Sequence, residues 1–169
     1  MKLSIVIPAH NEEENIGQTI SDVIAEMDKE KIDYEIVAVD DNSVDSTLKV
    51  LTELSDRCPR LRIIRRLPPK GFGRAIREGL ANINGDAVAI VMGDLSDDPA
   101  DIIKCFRKIE EGYDCVFGSR FMKDSNVRDY PLVKLLINRL ANTFIRALFL
   151  IRANDITNAF KVYKREVIN

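Results

Sequence analysis

The run Val91-Met92-Gly93-Asp94-Leu95-Ser96-Asp97-Asp98-Pro99 closes an apolar stretch, Ala87 to Met92, with three carboxylates and then a proline. Carboxylates just past a buried strand can hold a divalent cation against a phosphorylated substrate, because hard cations take oxygen ligands. In an open α/β sheet, ligands bind outside the carboxyl ends of the strands, which is where this cluster would lie. The same residues also admit a structural reading. Asp97 or Asp98 would cap a helix begun by Pro99, Asp being a favoured N-cap and Pro a favoured first helical residue. Asp94 precedes that helix start by several residues and fits a cap less well.

Other apolar runs end in polar clusters too. The first leads into Pro8-Ala9-His10-Asn11-Glu12, and the second into Asp40-Asp41-Asn42-Ser43 with Asp45-Ser46-Thr47 behind it. The third leads to Pro69-Lys70-Gly71-Phe72-Gly73-Arg74, and the fifth to Gly118-Ser119-Arg120. Singly, each has an ordinary explanation. Asn11 or Asp41 could cap a helix, Gly71 and Gly73 could serve a turn, and His10 could be a solvated loop residue. A lone Gly-x-Gly before a helix is weak evidence for phosphate binding. On a parallel sheet, however, these ends share one edge and converge.

The elements that position them alternate from the first residue. Strands are predicted at Lys2–Ile7, Tyr34–Val39, Leu61–Ile64, Ala87–Met92 and Cys115–Gly118. Helices are predicted at Asn15–Glu30, Ser46–Asp56, Phe72–Asn82 and Pro99–Glu111, with apolar residues such as Ile16, Ile20, Val23 and Met27 at helical spacing. Strands separated by such helices imply parallel pairing, hence a three-layer α/β fold with a mostly parallel, Rossmann-like sheet. No linker or repeat interrupts the pattern, so residues 1–169 are expected to form a single domain. After Gly118 the rhythm changes to a loop and then a long helix from Pro131 to about Ile151. On it Lys134, Asn138, Asn142 and Arg146 recur at i, i+4 as one polar stripe. The remainder is strongly apolar and must find a partner: the domain's own sheet, an absent part of the chain, another subunit or a membrane interface.

Bulk properties narrow the classes. At 169 residues the chain can bury a real core, and its composition is globular. Three cysteines at irregular spacing argue against a disulfide framework and for a reducing, cytoplasmic setting. The first residues reach Pro8 and Asn11 too soon for a signal peptide. No uncharged run approaches the roughly 20 residues of a membrane span. Residues 120–169 hold 10 Lys/Arg against 4 Asp/Glu, whereas residues 1–119 hold 15 against 23. The acidic first part is unpromising for nucleic acid, and the basic last part suits an anionic ligand or membrane surface, or is simply a solvated helix face.

Taken together, these clusters resemble the inverting GT-A glycosyltransferases of family two, nearest to the dolichol- or polyprenol-phosphate mannosyl- and glucosyltransferase branch. The ordered set Pro8 to Glu12, Val39 to Thr47, Gly71 to Ala75, Asp94 to Ser96 and Gly118 to Phe121 carries the resemblance. Asp155-Ile156-Thr157-Asn158-Ala159-Phe160 resembles that branch's Asp-x-Thr-Ser-Gly-Phe element. The resemblance implies a nucleotide-diphosphate sugar as donor, bound by Pro8, His10, Glu12, Val39, Asp41, Gly93 and Asp94. His10 stands where the family often has Tyr and can still stack on a base. Asp94 would be the retained carboxylate of the Asp-x-Asp signature, holding Mg²⁺ or Mn²⁺, with Ser96 and Asp97 as weaker ligands. Arg120, Lys134 and Asn138 fall where the family places the acceptor phosphate, and Asp94 and Arg120 are the implied catalytic pair. The expected setting is the cytosolic face of a membrane, with peripheral association or an anchor in a longer form.

Two departures stand out. Met92 replaces the first Asp of Asp-x-Asp, and Ser96 the frequent Gln. The chain also ends at Asn169, where the family continues, so a C-terminal truncation is expected. The alternatives are a glycosyltransferase with another acceptor and a catalytically inactive, glycosyltransferase-like binding subunit. A nucleotidyltransferase or dehydrogenase is disfavoured, because strand one leads into acidic His10-Asn11-Glu12-Glu13-Glu14 rather than a Gly-rich loop.

Overall fold

A computed structural model describes residues 1–121, 132–151 and 153–168, and of residues 132–135 the backbone alone. Six strands form one sheet in the order β3-β2-β1-β4-β6-β5. These are β1 (Lys2–Ala9), β2 (Asp33–Asp40), β3 (Leu61–Arg65), β4 (Ala87–Ile90), β5 (Cys115–Phe117) and β6 (Lys161–Lys164). The helices are α1 (Ile16–Lys29), α2 (Thr47–Ser55), α3 (Phe72–Leu80), α4 (Pro99–Glu110) and α5 (Leu132–Phe149).

The first four strands pair in parallel, with Leu3 opposite Tyr34 on one side and Ala87 on the other. Central parallel strands are buried on both faces, which is why β1 is buried continuously from Leu3 to Ala9. Alternation splits its side chains between two cores. Leu3, Ile5 and Ile7 join Ile16, Ile20 and Met27 of α1, Leu51 of α2 and Ile102, Phe106 and Ile109 of α4. On the opposite face Val6, Val37, Val39 and Val88 pack with Ala75 of α3. These are the three layers that the strand–helix alternation predicts.

Two features differ from the sequence reading. β6 enters the sheet antiparallel to β4, pairing Ala87 with Lys164 and Ile90 with Lys161, so β5 is displaced to the edge. Its four residues, Lys161-Val162-Tyr163-Lys164, are too few and too charged to announce a strand. β4 stops at Ile90 rather than Met92, because Met92 already turns toward the carboxylates.

The chain divides into two compact units, Met1–Val116 with Phe160–Asn169, and Phe117–Ala159. In the second unit α5 buries Asn142 of its polar stripe, whereas Arg146 of the same stripe is exposed. Asn142 is 1% exposed, while Leu136, Ile137, Leu140, Phe144 and Leu148 are each about 60% exposed or more. The reason is a polar lock. Asn142 Oδ1 accepts the backbone N–H groups of Ile156 (2.7 Å) and Thr157 (3.1 Å), and its Nδ2 donates to Thr157 Oγ1 (2.9 Å).

Candidate active site

Within the first unit, β1 has β2 on one side and β4 on the other, and the sheet's strand order reverses direction there. At such a switch point a crevice opens beyond the carboxyl ends. Pro8 to Glu12 form one lip and Met92 to Asp97 the other. Backbone bonds carry the strand ends into the lips, with Asp41 N–H donating to Ala9 O (2.8 Å) and Val91 N–H to Val6 O (3.0 Å). Just past β1 and β2, Asn11 (φ 56°) and Asn42 (φ 57°) adopt left-handed backbone, as does Leu95 (φ 62°) further along the loop after β4. Asn tolerates this conformation; for Leu it is strained, and such strain concentrates at functional turns.

Asp41 organises the first lip. It is buried, with one carboxylate oxygen bonded to the Arg66 guanidinium and the other to the Gly71 N–H (2.6 Å). Its carbonyl lies 3.0 Å from His10 Nδ1. A carbonyl only accepts, so Nδ1 carries the proton. Nε2 then accepts from Lys70 Nζ at 3.1 Å, since an ammonium only donates. Neither Asn11 nor Asp41 caps a helix; Asn11 Oδ1 instead accepts the Val44 N–H (3.0 Å), tying the first two strand ends together. Glu12 is anchored through its N–H to Thr47 Oγ1 (2.8 Å). Val39 is fully buried in the core, backbone included, and presents no surface to a ligand. Arg66 was not among the residues singled out in the sequence. It lies 25 positions from Asp41, and no short-range pattern joins them.

On the second lip three aspartates separate by role. Asp98 caps α4, its Oδ1 accepting the Ala100 N–H at 2.9 Å. Asp97 is half-buried, and its Oδ2 accepts the Met92 N–H at 2.8 Å. Burial pushes its carboxyl up, the Met92 N–H pulls it back, and Asp94 and Asp101 add like charge, leaving it at about 6. Asp94 is exposed, with Oδ1 accepting the Ser96 N–H at 3.1 Å. Gly93 of the second lip packs closely against the first. A Cβ there would stand 3.2 Å from Ile16 Cδ1, 3.5 Å from Pro8 O and 3.8 Å from Glu12 Cγ. Thr19 Oγ1 donates to Gly93 O (3.1 Å) and fixes the turn to α1.

In the second unit, Arg120 grips Asp155 with a two-pronged ion pair, Nε to Oδ2 at 2.8 Å and Nη2 to Oδ1 at 2.7 Å. The Arg120 N–H also donates to Oδ2 (3.0 Å). Burial would raise the Asp155 carboxyl, but these bonds outweigh it and hold the group below its usual range. Asn138 lies on the same helix face as Asn142, which donates from Nδ2 to the Asn138 carbonyl. The Lys134 side chain lies outside the described residues.

The family model described as Glycosyl transferase family 2 matches residues 4–169. The chain belongs to glycosyl transferase family 2. It is 33% identical over 171 residues to the dolichol-phosphate mannosyltransferase of Pyrococcus furiosus, an alignment covering 99% of this chain and 47% of that protein. It is 30% identical to the polyprenol monophosphomannose synthase of Mycolicibacterium smegmatis, covering 97% and 62%. The chain thus spans about half the length of the Pyrococcus relative. A similar solved structure is glucosyl-3-phosphoglycerate synthase from Mycobacterium tuberculosis in complex with Mn²⁺, UDP and phosphoglyceric acid. Its TM-score is 0.71 at 23% identity, covering 98% of this chain and 56% of that one. The fold of this family-2 chain is GT-A, with a mixed, mostly parallel six-stranded sheet.

GT-A folds commonly work with a divalent metal, and the donor chemistry here fits one. Among the described residues no three His, Cys, Asp or Glu side chains form a ready-made cage. Mg²⁺ does not need one, since one or two carboxylates plus substrate phosphates and waters suffice. Exposed Asp94, with the Ser96 hydroxyl and Asp97 nearby in sequence, offers oxygen donors only, the set that hard cations prefer.

Proposed function

We propose that this family-2 chain transfers a hexose, with inversion, from a nucleotide-diphosphate sugar of the GDP-mannose or UDP-glucose type to a polyprenyl or dolichyl phosphate at the cytosolic face of a membrane. The observation that carries the reading is the similarity over 99% of the chain to a dolichol-phosphate mannosyltransferase. The polar lips at the sheet's switch point support it.

In this reading Pro8, His10, Glu12, Asp41 and Gly93 receive the nucleotide, over a floor to which buried Val39 contributes. A carboxylate has about four acceptor positions. Asp41 spends two on Arg66 and Gly71, which leaves lone pairs for a base or ribose donor. The neutral His10 ring offers a flat face for stacking. Arg120, Lys134 and Asn138 hold the acceptor phosphate, and Asp155 fixes the Arg120 guanidinium in orientation. An acceptor phosphate oxygen bonds to the anomeric carbon while the bond from that carbon to the distal diphosphate oxygen breaks on the opposite face. The nucleoside diphosphate departs with the electron pair. The acceptor is already anionic near neutral pH, so placement by cations replaces a strong general base. Asp94, with Ser96 and Asp97 in support, would hold Mg²⁺ or Mn²⁺, whose positive charge would offset that of the diphosphate leaving group.

The test is to supply labelled GDP-mannose or UDP-glucose with Mn²⁺ and a short polyprenyl phosphate, and to follow label into the organic phase. The reading expects one donor to give a lipid-soluble product of inverted anomeric configuration. Donor binding with no lipid product would move the reading to a different acceptor or to a binding subunit.

A further inference from the structure

Lys70 is a cation beside the crevice to which the transfer reaction assigns no work. It lies in the segment between β3 and α3, and its Nζ stands 3.1 Å from His10 Nε2, 60 residues away in sequence. The segment is tied down on both sides of it. Pro69 O accepts from Arg74 Nη1 (3.4 Å) and Arg66 Nη2 (3.5 Å), and the Gly71 N–H donates to Asp41 Oδ2 (2.6 Å). These bonds keep the backbone of Lys70 close to the first lip, leaving only its own stem to be ordered. Asp41 closes the arrangement. Its carboxylate takes the Gly71 N–H, and its carbonyl takes the His10 Nδ1 proton at 3.0 Å between the nitrogen and the oxygen.

What such a clamp does follows from the chemistry of an imidazole. A phenyl ring is unchanged by a half-turn about its own axis and carries no charge. A half-turn of an imidazole exchanges nitrogen for carbon at both edges, and the ring has two neutral tautomers besides its cation. A face of one charge and one tilt therefore has to be selected by the ring's neighbours. Here the selection is double. The Asp41 carbonyl only accepts, so Nδ1 holds a proton; the Lys70 ammonium only donates, so Nε2 holds a lone pair. A half-turn would break both bonds at once, and a proton on Nε2 would face an ammonium. With both edges spent, the ring keeps its faces for a ligand. We propose that Lys70 is a positioning residue for the donor's nucleobase: it holds His10 in one tautomer and one plane, so that the base of a nucleoside diphosphate meets a surface already set. This role rests on the nucleotide reading above, to which it adds the residue that makes a histidine fit for stacking.

His10 is the only histidine in the chain, so every imidazole nitrogen signal in an NMR spectrum of the protein belongs to it. Near neutral pH the wild-type spectrum should show a protonated Nδ1 and an unprotonated Nε2. Lys70→Met should bring in the second tautomer, and Lys70→Arg, which also only donates, should keep the wild-type pattern. A protonated Nε2 in the wild type overturns the proposal, because an ammonium could not then donate to it; so does an unchanged spectrum in Lys70→Met. Calorimetry with GDP and with UDP, Mn²⁺ present, measures the consequence. Lys70→Met should weaken whichever diphosphate binds by about tenfold, the worth of one hydrogen bond to a charged group. In the His10→Phe background no ring nitrogen waits for the lysine, and the same substitution should change affinity less than about twofold. An equal loss in both backgrounds overturns the proposal, since Lys70 then touches the nucleotide itself, and so does no loss in either. Absence of binding by the wild type fells the nucleotide reading and this role with it; binding without coupling fells this role alone.

Discussion

Asp94, Asp97 and Asp98 are near neighbours in sequence, yet their surroundings assign them different chemistry. Asp98 satisfies an orphan N–H of α4, Asp97 satisfies the Met92 N–H, and Asp94 turns its carboxylate to solvent at the crevice. Replacing Asp94 by Asn removes the charge that a cation needs and keeps the shape. Calorimetry with a nucleoside diphosphate should then lose at least tenfold of the affinity gained on adding Mn²⁺. The unfolding temperature should hold within a degree or two, because the side chain is exposed. An unchanged metal-dependent gain would remove Asp94 from the site. The Asp98 cap was legible in the sequence because Pro99 follows it. The grip of Asp97 on Met92 was not, since it depends on a turn with Leu95 in left-handed backbone that no residue type there demands.

Elements were legible where periodicity met burial. The β1-to-α4 rhythm shows in the sequence because each apolar run is continuous for a two-sided strand or spaced by three and four for a helix. β6 was not legible, being short and flanked by lysines. α5 was legible as a helix but not in its facing. Its apolar majority argued for burial, whereas hydrogen bonds to Asn142 decided which side turned inward. Glycine choice acts at this scale too. A Cβ on Gly79 of α3 would stand 2.4 Å from Val6 Cγ1 in the centre of the sheet. Val6 is fully buried and β-branched, so it has no rotamer into which to retreat. Gly79→Ala should therefore destabilise the protein by about 1–3 kcal/mol, despite a helix-propensity gain of about 1 kcal/mol. Chemical denaturation measures it, and a stabilised variant would contradict the close packing of α3 on β1.

Across the molecule, one buried carboxylate joins the parallel strands opposite the crevice. Glu35 of β2 is 5% exposed and accepts from Ser4 of β1 (2.6 Å), Arg62 of β3 (3.0 Å) and Asn84, just ahead of β4 (3.2 Å). Burial would raise its pKa, but the Ser4 hydroxyl, the Asn84 donors and Arg62 together bring it below the ordinary 4.5. The unfolded chain therefore binds this proton more readily than the native one. Stability from Glu35 is fully present above pH about 4.5 and is lost as pH falls through the lower native value. Glu35→Gln should cost about 2 kcal/mol at pH 7, or roughly 4–8 °C, and the gap to the parent should close toward pH 3. Thermal unfolding across that range checks it; a gap independent of pH would deny the carboxylate its charge-dependent role.

Finally, β5 and β6 are neighbours in the sheet, and residues 117–159 leave from one and return to the other. That stretch is a cassette spliced between adjacent strands. Exchanging it for one of different length leaves every parallel ladder of the sheet intact and adds only about 0.6 kcal/mol of closure entropy per doubling. If Arg120, Lys134 and Asn138 hold the acceptor as proposed, acceptor preference travels with this cassette, and grafting it would change the acceptor while the nucleotide platform stayed unchanged.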